Sequence, residues 1–188
     1  LRETEKAIKL VKDHFEKQLA EALNLSRVSA PLFVRPETGL NDNLNGYERA
    51  VRFDVPFLKA EVEIVQSLAK WKRMALKRYG FKSGEWIYTD MNAIRRDESL
   101  DALHSFYVDQ WDWERHIRPR ERTLEYLKEV VKRIYEVMKR TEFVVFEKYP
   151  QIRPILPDDI TFIHAEELYD MYPNLSSKER EDAIARKY

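Results

Sequence analysis

Ile8, Val11, Phe15, Leu19 and Leu23 recur every three or four positions. That spacing lines one face of a helix and predicts an amphipathic helix over 3–23. The period then changes. Val28, Ala30, Leu32 and Val34 alternate with Pro31 among them, which predicts a strand over 28–34 whose proline suits an edge, a bulge or an interface, because it has no N–H to give a ladder. Thr38-Gly39, Asn41-Asp42-Asn43 and Asn45-Gly46 make a turn-rich loop. Strands are expected over 50–55 and 60–65, the second setting Val62 and Ile64 against Glu61 and Glu63. A helix over 67–79 follows, with Gly80 placed to end it in the left-handed conformation.

Short strands are predicted over 85–88 and 93–95. Residues 104–114 are rich in Phe, Tyr, Val and Trp and read as a central strand. Phe106, Val108, Gln110 and Asp112 share one of its faces, and Ser105, Tyr107, Asp109, Trp111 and Trp113 the other. Leu124, Leu127, Val131, Ile134 and Met138 open a long helix running to about 149. A connector marked by Pro150, Pro154 and Pro157 leads to a strand over 160–164, a helix over 165–171 and another from Ser177. Ser176 and Glu179 have capping-box spacing. Several strands are adjacent in sequence and do not alternate strictly with helices. This points to α+β with a largely antiparallel sheet rather than a doubly wound parallel fold.

Composition narrows the function classes. The 188 residues carry 33 basic and 33 acidic side chains, a balance that argues against a general nucleic-acid binder. No apolar run approaches a membrane span, and no Cys is present to build a disulfide framework or ligate a metal. No signal-peptide pattern is visible, so the cytoplasm is the expected compartment. The chain starts at Leu1 and stops within a helical pattern, and it has only four glycines against a usual ~7%. It reads as one incomplete domain over 1–188.

Candidate chemistry is sparse on residue types alone. No phosphate-cradling glycine loop occurs, so any nucleotide would be held by charged side chains, for which arginine's planar fork is suited. Lys70-Trp71-Lys72-Arg73 can be a basic patch, a solvated helix face, or a frame for one functional lysine. Arg95-Arg96-Asp97-Glu98 can be a solvated turn or a phosphate clamp with an acceptor at Glu98. Asp109, Gln110 and Asp112 can serve acid–base or binding work or simply decorate a half-exposed sheet. The four histidines have no metal-site spacing, and no metal ligand is assigned.

In order, Asp42-Asn43-Leu44-x-Gly46, Ser67-Leu68-Ala69-Lys70-Trp71-Lys72-Arg73, and Tyr107-Val108-Asp109-Gln110-Trp111-Asp112-Trp113-Glu114-Arg115 resemble the signature blocks of the ammonia-dependent, AMP-forming asparagine synthetases. Leu156-Pro157-Asp158-x-Ile160 and Tyr172-Pro173-x-Leu175 extend the resemblance along the chain, over the family's first half or somewhat more. It implies the fold of class II aminoacyl-tRNA synthetase catalytic domains, an antiparallel sheet flanked by helices and incomplete at the C-terminus, working as a homodimer. Helix 3–23, strand 28–34 and Pro31 then look like the dimer-forming first motif and Arg95-x-x-Glu98 like the second. The third motif, with its ATP-binding arginine, and the acidic Mg²⁺ ligands are expected beyond Tyr188, which leaves the 188 residues alone inactive.

The implied reaction joins L-aspartate and ammonia at the expense of ATP, through β-aspartyl-AMP, releasing AMP and pyrophosphate. The resemblance implies substrate contacts from Asp42, Ser67, Lys72, Arg95, Gln110 and Asp112, with Lys72 and Arg95 catalytic. It assigns ATP contacts to Arg95, Glu98, Leu103, Ser105 and Val108. The six substrate residues are expected to converge on one cavity. Two departures stand out: Gln66 occupies a position where the family pattern has histidine, and Asn45 one where serine is usual. The alternatives are a catalytically inactive paralogue acting as amino-acid sensor or dimer partner, and a synthetase-like RNA-binding domain. Joint retention of Lys72, Arg95, Glu98 and Gln110 weighs against the first, and zero net charge against the second.

Overall fold

The computed structural model describes residues 1–101 and 104–187. Its elements are α1 (Arg2–Leu23), β1 (Leu25–Arg27), β2 (Phe33–Val34), β3 (Arg52–Val55), β4 (Ala60–Ile64), α2 (Ala69–Arg78), β5 (Trp86–Ile94), β6 (Tyr107–Arg115), α3 (Leu124–Lys148), α4 (Ala165–Met171) and α5 (Ser177–Ala185). They form two three-stranded sheets, ordered β1-β5-β6 and β2-β4-β3. Only the β1–β5 pair is parallel, so the expected α+β class with a mainly antiparallel ladder holds.

Strand β5 organises the first sheet because its two faces enter different cores. Ile87, Met91 and Ala93 pack with Leu68, Trp71, Ala75 and Leu76 around α2. Trp86 packs with Leu19, Leu23 and Val137 between α1 and α3. Alternation along the strand produces this division, so the sheet lies between α2 on one side and the α1–α3 pair on the other. Tyr88 belongs to the α1 side, where its Oη donates to Glu16 Oε1 at 2.9 Å. Burial first, then this hydrogen bond, push its phenol up to about 12.

Four expectations need correction. Of the strand expected over 28–34 only β2 forms, pairing with β4; β1 precedes that segment and pairs with β5, and Pro31 lies in the unpaired stretch between them, where the chain crosses from one sheet to the other. The segments 85–88 and 93–95 are one nine-residue strand, β5; Thr89, Asp90 and Asn92 hid its continuity because propensity is weak against tertiary pairing. The aromatic-rich segment 104–114 appears as β6, which among the described residues pairs with β5 alone, and β5 lies between β1 and β6. Residues 160–164 form no strand. That connector is held on α3 instead: Tyr135 Oη donates to the Pro157 carbonyl at 2.6 Å, Lys139 Nζ to the Asp158 carbonyl at 2.9 Å, and the Ile155 N–H to Glu142 at 3.0 Å.

Helix ends follow the local chemistry. Gly80, at φ +75°, closes α2: its N–H reaches the Lys77 carbonyl at 3.1 Å and Phe81 N–H reaches Leu76 at 2.9 Å. This is the paired closure that a left-handed residue permits. Ser176 and Glu179 form the predicted capping box on α5.

Replacing Tyr88 with Phe is expected to cost about 1 kcal/mol near neutral pH, the worth of one hydrogen bond to Glu16. A phenol pKa raised above its unfolded value of about 10 stabilises the fold fully below that pH and ceases to do so as pH climbs towards about 12. Urea unfolding of both proteins is therefore expected to show a gap at about pH 8 that narrows by about pH 11. An unchanged gap would refute this account.

Candidate active site

The α2 side of the sheet collects most of the chemistry predicted from sequence. Register pairs Ile94 with Tyr107, Ala93 with Val108, Met91 with Gln110 and Thr89 with Asp112. Val108, Gln110 and Asp112 therefore share the face that Met91 and Ala93 turn towards α2, as the alternation in the sequence predicts. Arg95 follows β5 directly, and its N–H donates to the Phe106 carbonyl at 2.7 Å, carrying the ladder one step further. Its side chain continues the same alternation, and its Nε is buried with no hydrogen-bond partner among the described residues.

Lys72 is the best-buried charge in this group. Its residue is 5% exposed, yet Nζ reaches Asp112 Oδ1 at 2.5 Å, the Trp113 carbonyl at 2.8 Å and Glu114 Oε2 at 3.6 Å. Burying an ammonium is costly unless opposite charge and hydrogen bonds meet it, and β6 supplies both. Glu114, absent from the sequence-based site, is recognisable in retrospect by its i+2 spacing from Asp112. The lysine is thus a fixed charge already compensated by carboxylates rather than an uncommitted cation.

The remaining predicted residues are less tightly joined. Ser67 Oγ accepts from Ala69 N–H at 3.3 Å, a turn just before the helix, which begins two residues later than expected with Leu68 as its N-cap. Asp42 is half-buried and follows Asn41, whose side chain donates to the Ile64 carbonyl at 3.1 Å and accepts from Gln66 N–H at 2.8 Å. Lys70 Nζ also reaches the Asn41 carbonyl at 3.4 Å, so the Asp42 loop is tethered to both β4 and α2. Among the described residues no hydrogen bond or ion pair joins Asp42 to Lys72 or Arg95. Glu98 closes a turn on Arg95, its N–H donating to the Arg95 carbonyl at 3.1 Å. Ser105 Oγ accepts from Tyr107 N–H at 3.3 Å. Leu103 lies outside the described residues.

Two further features escaped sequence reasoning. Arg49 clasps Asp97 through its backbone N–H (2.8 Å), Nε (3.1 Å) and Nη2 (2.6 Å), tying the loop after Asp42 to the turn after Arg95. The Arg49 guanidinium holds the Asp97 carboxyl down to about 2. No local spacing could reveal a pair so distant in sequence. Beside the clasp lies a polar cavity of about 500 Å³, lined by Asn43, Glu48, Arg49, Arg52, Glu63, Gln66 and Arg96, among others. Among the described residues no three carboxylate, histidine or cysteine side chains come together as a metal site, and Asp112 and Glu114 already face Lys72.

Lys72→Met is expected to destabilise the fold by about 3 kcal/mol, because it leaves two largely buried carboxylates without their cation, and Asp112→Asn by less, because Glu114 still faces the lysine. The double variant Lys72→Met/Asp112→Asn should cost less than the sum. Additive losses in urea unfolding would show that the pair does not act as a unit. The clasp gives a second expectation. With its pKa depressed to about 2, Asp97 stays largely ionised in the folded protein down to about pH 3, and its stabilising contribution, full above the unfolded value of about 4, is lost progressively as pH falls from there through about 2. Hydrogen exchange at the Arg49 amide should stay protected at about pH 3 and lose protection in Asp97→Ala; equal protection in both would refute the clasp.

Comparison with known proteins places this geometry in a family. The family model described as aspartate-ammonia ligase matches residues 2–188. The aspartate–ammonia ligase of Ruminiclostridium cellulolyticum is 63% identical over 188 residues, covering 100% of this chain and 56% of that protein. The corresponding protein of Bacillus cytotoxicus is 58% identical and covers 100% and 58%. The chain thus spans a little over half the length of these curated relatives. Among solved structures, asparaginyl-tRNA synthetase from Pyrococcus horikoshii complexed with asparaginyl-adenylate superposes with a TM-score of 0.67 at 16% identity, over 97% of this chain and 43% of that one. The Entamoeba histolytica enzyme gives 0.53 at 10% identity, over 93% and 31%. These likenesses establish the class II aminoacyl-tRNA synthetase fold, and the sequence match along the whole chain shows that it belongs to the aspartate–ammonia ligase family.

Proposed function

We propose that this chain contributes the aspartate- and ATP-binding half of a cytoplasmic, homodimeric enzyme that makes L-asparagine from L-aspartate and ammonia. The observation that carries the reading is membership of the ligase family along 2–188. The placement of Lys72, Arg95, Gln110 and Asp112 on one side of one sheet supports it. In the first step a side-chain carboxylate oxygen of aspartate attacks the α-phosphorus of ATP. A new O–P bond forms, the bond to pyrophosphate breaks, and β-aspartyl-AMP results. In the second, ammonia adds to the activated carbonyl carbon, AMP leaves with the bonding electron pair, and a proton is lost from nitrogen.

Residue types fit these demands. Arg95, with a buried unpartnered Nε, is assigned to the α-phosphate, where a preorganised guanidinium stabilises charge that grows in the transition state. Glu98, Leu103, Ser105 and Val108 are assigned to the nucleotide. Gln110, Ser67 and Asp42 offer a neutral donor, a hydroxyl and an anion for the carboxylates and ammonium of aspartate. Lys72, fixed by Asp112 and Glu114, sets the local field and holds that wall in register. Mg²⁺, which would neutralise charge on the triphosphate, is assigned to acidic residues of the family's remaining length, as the resemblance implies.

The test uses the protein at the full length of its relatives. Aspartate-dependent ATP–pyrophosphate exchange should appear without ammonia, and adding ammonia should yield asparagine and AMP in equal amounts. Arg95→Ala should lower the exchange rate ~10²–10³-fold, as loss of one preorganised donor does, and Lys72→Ala should abolish it. Exchange independent of aspartate, or untouched by both substitutions, would overturn the reading.

A further inference from the structure

Gln66 is the most buried residue of the polar cavity's lining, at 2% exposure. Its backbone N–H is satisfied by Asn41 Oδ1 at 2.8 Å, yet its side-chain Nε2 is buried with no hydrogen-bond partner among the described residues. Leaving an amide donor buried and unmatched costs about 1–3 kcal/mol, so its retention calls for an acceptor that arrives from outside the fold. The surroundings indicate which kind. Arg49 is committed to Asp97, and Arg52 to Glu61 and Glu63, while Arg96 enters no ion pair among the described residues. The lining thus keeps the Arg96 guanidinium, which acts on Asp97 only through space, and the buried Gln66 N–H without a hydrogen-bond partner among the described residues, a pairing that favours an anionic oxygen. Gln66 also immediately precedes Ser67, and its N–H binds the residue before Asp42, so it links the cavity to the two segments that carry these residues assigned to aspartate.

We propose that Gln66 is a substrate-positioning residue, its Nε2 donating to a carboxylate oxygen of the amino acid bound in this cavity. The inference rests on the proposed function and adds a residue that the sequence-based site lacked. A charge-neutral donor holds the carboxylate without adding a titrating group.

The experiment measures aspartate-dependent ATP–pyrophosphate exchange by the full-length enzyme and its Gln66→Leu, Gln66→Glu and Gln66→His variants, with KM for L-aspartate and for ATP determined separately. Loss of a hydrogen bond to a charged group corresponds to ~10–100-fold. Gln66→Leu should therefore raise the aspartate KM by that factor, with kcat and the ATP KM within about twofold. Gln66→Glu, isosteric but repelling a carboxylate, should raise it at least as much. Gln66→His, whose imidazole N–H can donate, should recover most of the loss. An aspartate KM unchanged in both Leu and Glu variants overturns the inference while leaving the proposed function intact. Should Gln66→Leu fail to fold, the Glu and His variants decide alone. If the unsubstituted enzyme shows no aspartate-dependent exchange, the functional reading fails and this inference with it.

Discussion

An ammonium shut away from water must meet opposite charge, and the way Lys72 meets it constrains the whole α2 side of the molecule. Asp112 and Glu114 reach it from alternate positions of β6, which is possible only if the even-numbered residues of that strand face α2. A slip of one residue in the β5–β6 ladder would turn every side chain over. Both carboxylates would then enter the apolar layer of Leu19, Leu23, Trp86 and Val137, and Trp113 would leave it. The ion pair and the two cores therefore specify the same register. A buried pair adds little net stability compared with apolar packing, but a mismatched one is costly, so this lysine acts chiefly against wrong pairings.

That logic explains which parts of the molecule were legible in the sequence. Period-based readings succeeded wherever one face meets one core: α1, α2 and α3 fall within two residues of expectation, and the face shared by Val108, Gln110 and Asp112 is correct. They failed at β5, because its two faces enter separate cores and its polar residues, Thr89, Asp90 and Asn92, interrupt the apolar run. Asp90 is there to meet Arg27 at 2.5 Å, a cross-strand pairing invisible to local pattern. That β6 pairs with β5 alone among the described residues was equally hidden: aromatic content marks burial, and Trp113 achieves it against α3 rather than between two strands. Residues 160–164 alternate like a strand but form none; side chains of α3 hold the stretch just before them, and Lys128 of that helix lies over the Phe162 ring.

The site divides along similar lines. Residues within continuous motifs were readable, since resemblance carries whole blocks such as 107–115. Contacts between blocks were not. Arg49 and Asp97 lie in stretches that each look like solvated turns, and only the fold brings them together. Glu63, on a strand whose alternation marks it as outward-facing, is 8% exposed because β3 brings Arg52 over it. Charge patterning in sequence locates polar faces, whereas which of those faces closes over another is a property of topology.

The clasp and the cavity it borders share one physical consequence. Three arginines with mutual repulsion can line a single hollow only if carboxylates neutralise most of them, and here Asp97, Glu61 and Glu63 do so for two. The hollow is therefore polar without carrying a large uncompensated field, a condition suited to a ligand that bears both signs of charge. A strongly cationic pocket would hold any polyanion. Pairing off the cations leaves selection to individual donors and acceptors placed at short range, where a missing or misplaced group on the ligand costs most.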